Sequence, residues 1–108
     1  MRFPVFIQEK DSSRLMKFSS VYDIQAYLEA IDIENQEYLV WDADGTVLDL
    51  RTQRPVWVRM EEKTSDLGSL IRALRTYATS QGVELRKEPF SSAEIEELFD
   101  SILRKKWK

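Results

Sequence analysis

The sequence predicts an α+β domain: an antiparallel sheet, made of an N-terminal hairpin and a three-stranded meander, packed with three helices in the order ββαβββα(β)α. Three observations predict it. Apolar runs on both sides of Asp44-Gly45 make the strongest short-range hairpin signal a chain carries. Three segments place apolar residues at helical spacing behind residue types that cap helices. Hydrophobic content of 43% beside 32% charged residues is that of a folded chain, and 108 residues make a single domain, 1–108, without linkers, repeats or low-complexity tracts.

Each element follows in order. Phe3, Val5 and Ile7 alternate, a polar cluster interrupts at 10–13, and the extended pattern resumes over 14–18, so residues 2–18 read as the first hairpin. Pro4 lacks a donor and belongs on an edge or at a strand's beginning. Ser20 is the expected cap of a helix over 21–30 with Val21, Ile24, Leu28 and Ile31 on its apolar side, breaking near 32–36.

The central hairpin comes next. With Asp44 and Gly45 as the two turn residues, Trp41 faces Leu48 and Leu39 faces Leu50. That register puts those four on one face and Tyr38, Val40, Asp42, Val47, Asp49 and Arg51 on the other. A polar link at 52–54 leads to a strand over 55–62 that closes a meander from 37 to 62, with its inward face left open. Thr64 and Ser65 are candidate caps for the second helix, with Asp66 in its first turn. Leu67, Leu70, Ile71, Leu74 and Ala78 form its stripe, and Gly82 is its stop. Gly68 is expected to permit close packing. Val83 and Leu85 suggest a short strand. In the last helix, Ser91 and Glu94 spell a capping box, Phe90 and Ile95 a hydrophobic staple, and Ile95, Leu98, Phe99, Ile102 and Leu103 the buried side.

Composition narrows the chemistry. The chain has no cysteine and no histidine, which removes disulfides, thiol nucleophiles, the commonest general base and the usual transition-metal ligands; no cofactor and no metal is expected. A net charge of −3 lacks the electrostatic footprint of a nucleic-acid binder. The basic end, Arg104 to Lys108 with Trp107, reads as a solvated helix terminus. The N-terminal apolar run is too short for a signal peptide, and nothing approaches membrane-spanning length. A cytoplasmic, bacterial protein is the expectation.

One stretch carries a chemical motif. Asp42-Ala43-Asp44-Gly45-Thr46-Val47, behind the apolar run 38–41, resembles the first motif of the haloacid dehalogenase superfamily. The resemblance implies Asp42 as phosphoryl-accepting nucleophile and Asp44 as general acid and base, both beside a magnesium ion. The rest of that family's pattern is missing: the motif falls mid-chain, and no later strand ends in the paired acids it requires. Turn formation accounts for both aspartates, so no catalytic residue is assigned. A calcium loop fails too, since Val40 and Arg51 would occupy ligand positions that need acids.

The expected function is binding. If the helices cover one sheet face, Tyr38, Val40, Val47 and Trp57 make an apolar patch on the other, suited to a protein partner or a second copy. An accessory role of the immunity or antitoxin kind suits the size and acidity. Magnesium-dependent phosphoryl handling through Asp42 and Asp44 is the alternative.

Overall fold

The computed structural model describes residues 1–35, 37–53, 57–85 and 91–106, of which 30, 34, 53, 57–59, 92, 105 and 106 are described by backbone alone. Five strands, β1 (Val5–Glu9), β2 (Leu15–Phe18), β3 (Tyr38–Trp41), β4 (Thr46–Gln53) and β5 (Trp57–Ser65), form one antiparallel sheet in the order β2-β1-β3-β4-β5. Among the described residues four helices accompany it: α1 (Val21–Tyr27), α2 (Ala30–Glu34), α3 (Leu67–Ser80) and α4 (Ser92–Lys106). The class is α+β, as the sequence predicts, with one helix more.

β1 is an interior strand. It pairs with β2 through Val5–Phe18 and Ile7–Met16, and with β3 through Phe6–Trp41 and Ile7–Val40, so hairpin and meander share one sheet. Pro4 stands just before β1, where its missing donor leaves no ladder bond unmade. Val5, Phe6 and Ile7 are all fully buried, because helices cover both faces of this strand.

Strand alternation sorts the side chains into two cores. Phe6, Leu15 and Trp41 pack with Leu70, Leu74 and Tyr77 of α3 and Ile95, Phe99 and Ile102 of α4. Val5, Ile7, Met16, Phe18, Val40, Leu48 and Leu50 pack with Ile24 and Leu28 of the first helical segment and Ile33 of α2. The sheet is therefore the middle of three layers.

The helix termini carry the expected chemistry with two corrections. The Ser20 hydroxyl accepts from the Asp23 N–H, but α1 ends at Tyr27 and Leu28 is extended. The single helix expected over 21–30 is thus two short ones. The break exchanges Ile31, which is 61% exposed, for Ile33, which is 3% exposed, as the buried isoleucine. The cap of α3 is Asp66, whose carboxylate accepts from the Ser69 N–H. Thr64 and Ser65 cannot serve because β5 continues through them, Ser65 pairing with Thr46.

At the other end of α3, Gly82 (φ 72°) makes a Schellman turn: Val83 N–H donates to Ala78 O and Gly82 N–H to Thr79 O. Val83 and Leu85 pack against the core without forming the short strand expected of them. Gly68 does not permit close packing, since a Cβ there would meet only Arg72 and Asp66 side-chain atoms at 3.6 and 3.7 Å. Ser91 caps α4, accepting from the Glu94 N–H. The staple residue Phe90, the end of the polar link at 54 and the tail residues 107–108 lie outside the described residues.

The central hairpin differs from expectation by one residue. Trp41 faces Val47 and Val40 faces Leu48, so the loop is three residues, 43–45, in place of two. Gly45 N–H donates to Asp42 O, Asp42 N–H donates to Thr46 O, and Gly45 takes φ 84°; this is a type I turn closed by a left-handed glycine. A one-residue slip sends alternate side chains to the opposite face. Leu48 and Leu50 accordingly join Val40 in the core under α1 and α2, while Val47 joins Trp41 under α3 and α4. An irregularity follows in β5, where Val47 faces Thr64 but Leu48 faces Glu62.

Candidate functional site

Asp42 explains the loop length. It is 2% exposed, and its carboxylate oxygens accept three backbone N–H groups: Asp44 at 2.8 Å and Thr46 at 3.0 Å on Oδ1, and Arg2 at 3.1 Å on Oδ2. A short aspartate side chain that caps its own turn in this way favours the longer loop over a two-residue turn. Arg2 completes the junction. Its carbonyl accepts from the Ala43 N–H, and its guanidinium grips Asp44 through Nε and Nη2. On the other side, Gly45 O accepts from the Asp66 N–H, and a Cβ on Gly45 would stand 2.6 Å from Leu67 Cα. The loop thus joins the N-terminal segment, the sheet and the start of α3.

This geometry suits architecture better than phosphoryl transfer. A carboxylate nucleophile needs a lone pair presented to solvent, and Asp42 has both oxygens engaged by backbone donors, those of Asp44 and Thr46 on one and that of Arg2 on the other. Asp44 is exposed and held by Arg2. Among the described residues, no group of three or more acids is arranged to hold a metal ion.

Of the four residues expected to form a binding patch, the three whose side chains are described, Tyr38, Val40 and Val47, do not form an exposed face. Val40 is 2% exposed in the core beneath the first helical pair, and Tyr38 packs partly buried against the same core. Val47 packs against the opposite core. Trp57 pairs with Gln53 by its backbone, and its side chain lies outside the described residues. Tyr38, Val40 and Val47 do line one small cavity, about 130 Å³, between β3 and β4. β3 and β4 pair beside it at Val40–Leu48 and Trp41–Val47. There burial, followed by the negative charges of Asp32, Glu9 and Glu37 and a hydrogen bond with Asp32, pushes the Tyr38 phenol up to about 12.

A larger groove follows the free edge of β2. It holds about 370 Å³ and runs the length of the strand from Arg14 to Phe18. Tyr27 walls one side; Tyr77, Phe99 and Leu103 wall the other. Tyr27 meets Phe18 edge-on at 5.9 Å between centroids, and Tyr77 stacks on Phe99 at 5.8 Å. Lys17 leaves the edge to donate to Asp100 at 2.6 Å and Glu96 at 3.1 Å, above the Phe99 ring. Its burial lowers its pKa, but the hydrogen bonds it donates to Asp100 and Glu96 outweigh that and leave it raised. Arg14, Tyr27, Tyr77 and Phe99 are absent from the patch expected from sequence. The one available signal was Tyr27, an aromatic beside an already complete apolar stripe.

No family model, curated protein or solved structure matches this chain.

Proposed function

We propose that this protein is a small binding module without enzymatic activity whose partner is another protein. One observation carries the reading. Five large apolar side chains stay exposed among the described residues, and three of them, Tyr22 (70%), Tyr27 (58%) and Ile31 (61%), sit on the short helices α1 and α2. Short helices have little stability of their own, and aromatic residues on them gain most when a partner covers them. These exposed side chains stand in place of the Tyr38, Val40, Val47 and Trp57 surface. The reading extends to a cytoplasmic, bacterial accessory protein of the immunity or antitoxin kind, supported by the acidity, small size and lack of cysteine. Among the described residues no helix is long and apolar enough to cross a membrane.

The test is affinity capture from nuclease-treated host lysate with wild type and a Tyr22→Asp, Tyr27→Asp double variant. A protein retained by wild type and lost by the folded variant is the expected result. Equal capture by both forms would remove the surface from consideration.

A further inference from the structure

The two edges of the sheet are built differently. On β5 the exposed run from Glu61 to Ser65 carries charges of both signs, and the N-terminal amino group pairs with Glu62. An edge so charged turns away an incoming strand. Along β2, by contrast, Leu15, Met16 and Phe18 are buried, and the one charge, Lys17, is drawn off to Glu96 and Asp100 on α4. What remains is a strand edge with no partner strand among the described residues, at the floor of a groove with aromatic walls above and below the plane of the sheet. Such a trough fits one extended chain, whose side chains alternate between the two walls.

The charge at its mouth selects the occupant. Arg14 lies 5.7 Å over the Tyr27 ring and donates one N–H to the Tyr27 hydroxyl. Among the described residues it has no carboxylate within ion-pair distance, in a chain where acids outnumber bases 19 to 16. The ring and hydroxyl hold the fork in place while leaving further N–H groups to bind a carboxylate. A second copy of this chain would bring its own Arg14 to the same edge, which favours a different molecule.

We propose that the β2 edge takes up an extended, acidic segment of a partner protein as a sixth strand, with a partner carboxylate on Arg14. This rests on the binding-module reading and names its partner class and mode.

The probe is a displayed library of random peptides of about eight residues, long enough for one strand, selected on the full chain. Enrichment of acidic peptides that lose roughly tenfold or more in affinity to Arg14→Glu, and keep their preference with Arg14→Lys, is the expected result. N-methylation of an enriched peptide removes backbone donors. In a paired strand alternate N–H groups point at the neighbour, so methylation at one parity should abolish binding and at the other leave it intact. β2 amides should gain hydrogen-exchange protection. Equal tolerance of methylation at both parities, or indifference to Arg14→Glu, would overturn the proposal. So would protection of β2 amides through self-association of the free chain. Peptides that bind yet respond to Tyr22→Asp alone leave a binding module and remove strand addition. Failure to enrich any peptide, alongside loss of captured protein in Tyr22→Asp, which leaves the groove wall intact, does the same.

Discussion

Replacing Asp42 with asparagine separates an architectural aspartate from a nucleophilic one. The carboxylate accepts three backbone N–H groups from Arg2, Asp44 and Thr46, and it is 2% exposed. Asparagine keeps one acceptor oxygen and turns a donor towards the remaining N–H. One buried donor then loses its acceptor, and the others lose a charged partner. A hydrogen bond to a charged group contributes about 1.5–3 kcal/mol, and an orphaned buried donor costs about 1–3 kcal/mol. One lost bond and two weakened ones bring the cost to about 3 kcal/mol, a large share of the ~5–15 kcal/mol by which a domain is stable. With a urea slope near ~1.5 kcal/mol per molar for a chain this small, the midpoint should fall by about 2 M without a change in slope. Native-state exchange should report faster opening at the Asp44 and Thr46 amides. A variant with the wild-type midpoint and unchanged exchange would refute the structural role. Undiminished stability together with abolished magnesium-dependent phosphate release would establish the phosphotransfer reading in its place.

Two further outcomes follow from the same region and its neighbour. Gly45→Ala combines a left-handed φ of 84° with a Cβ placed 2.6 Å from Leu67 Cα, backbone that cannot swing aside. Strain of about 1–2 kcal/mol adds to displacement of the start of α3, and urea unfolding should show a loss of at least ~3 kcal/mol; a loss below ~1 kcal/mol would mean the loop does not hold α3. Tyr38 is read by pH. Its folded pKa lies at about 12, above the unfolded value near ~10, so the neutral phenol adds stability that is present below about pH 10 and lost as pH rises to about 12. A phenolate absorbance step near pH 12 should vanish in Tyr38→Phe, and its persistence there would assign the late titration to another group.

Local chemistry made much of the fold legible. Ser20, Ser91 and Gly82 punctuate the chain through bonds to their near neighbours, and each does so in the structure. What failed depends on interactions outside the local window. The Asp-Gly pair suits a two-residue turn, but Asp42 selects a three-residue loop because its carboxylate finds the Arg2 N–H, 40 positions away, as well as those of its own turn. That single residue of slip sent Leu48 and Val47 to faces opposite those expected. Likewise, 21–30 is periodic enough for one helix, yet Ile33 is needed to cover Val40 and Leu48, and the break at Leu28 brings it there.

The binding surface was less legible for a topological reason. A patch can be inferred from alternation only if one face of the sheet is known to be bare, and here both are covered. Whether β2 is an edge depends on β1 pairing with β3, a contact between residues 6 and 41 that no local pattern encodes. Once that pairing places β2 outermost, the residues around it change meaning. Lys17 becomes a charge withdrawn from an edge, Tyr27 a wall, and Arg14 a cation at the mouth of a groove. None of the three is unusual as a residue type at its place in the chain. Their functional weight comes from standing beside a strand edge whose own charge, Lys17, is drawn away to α4.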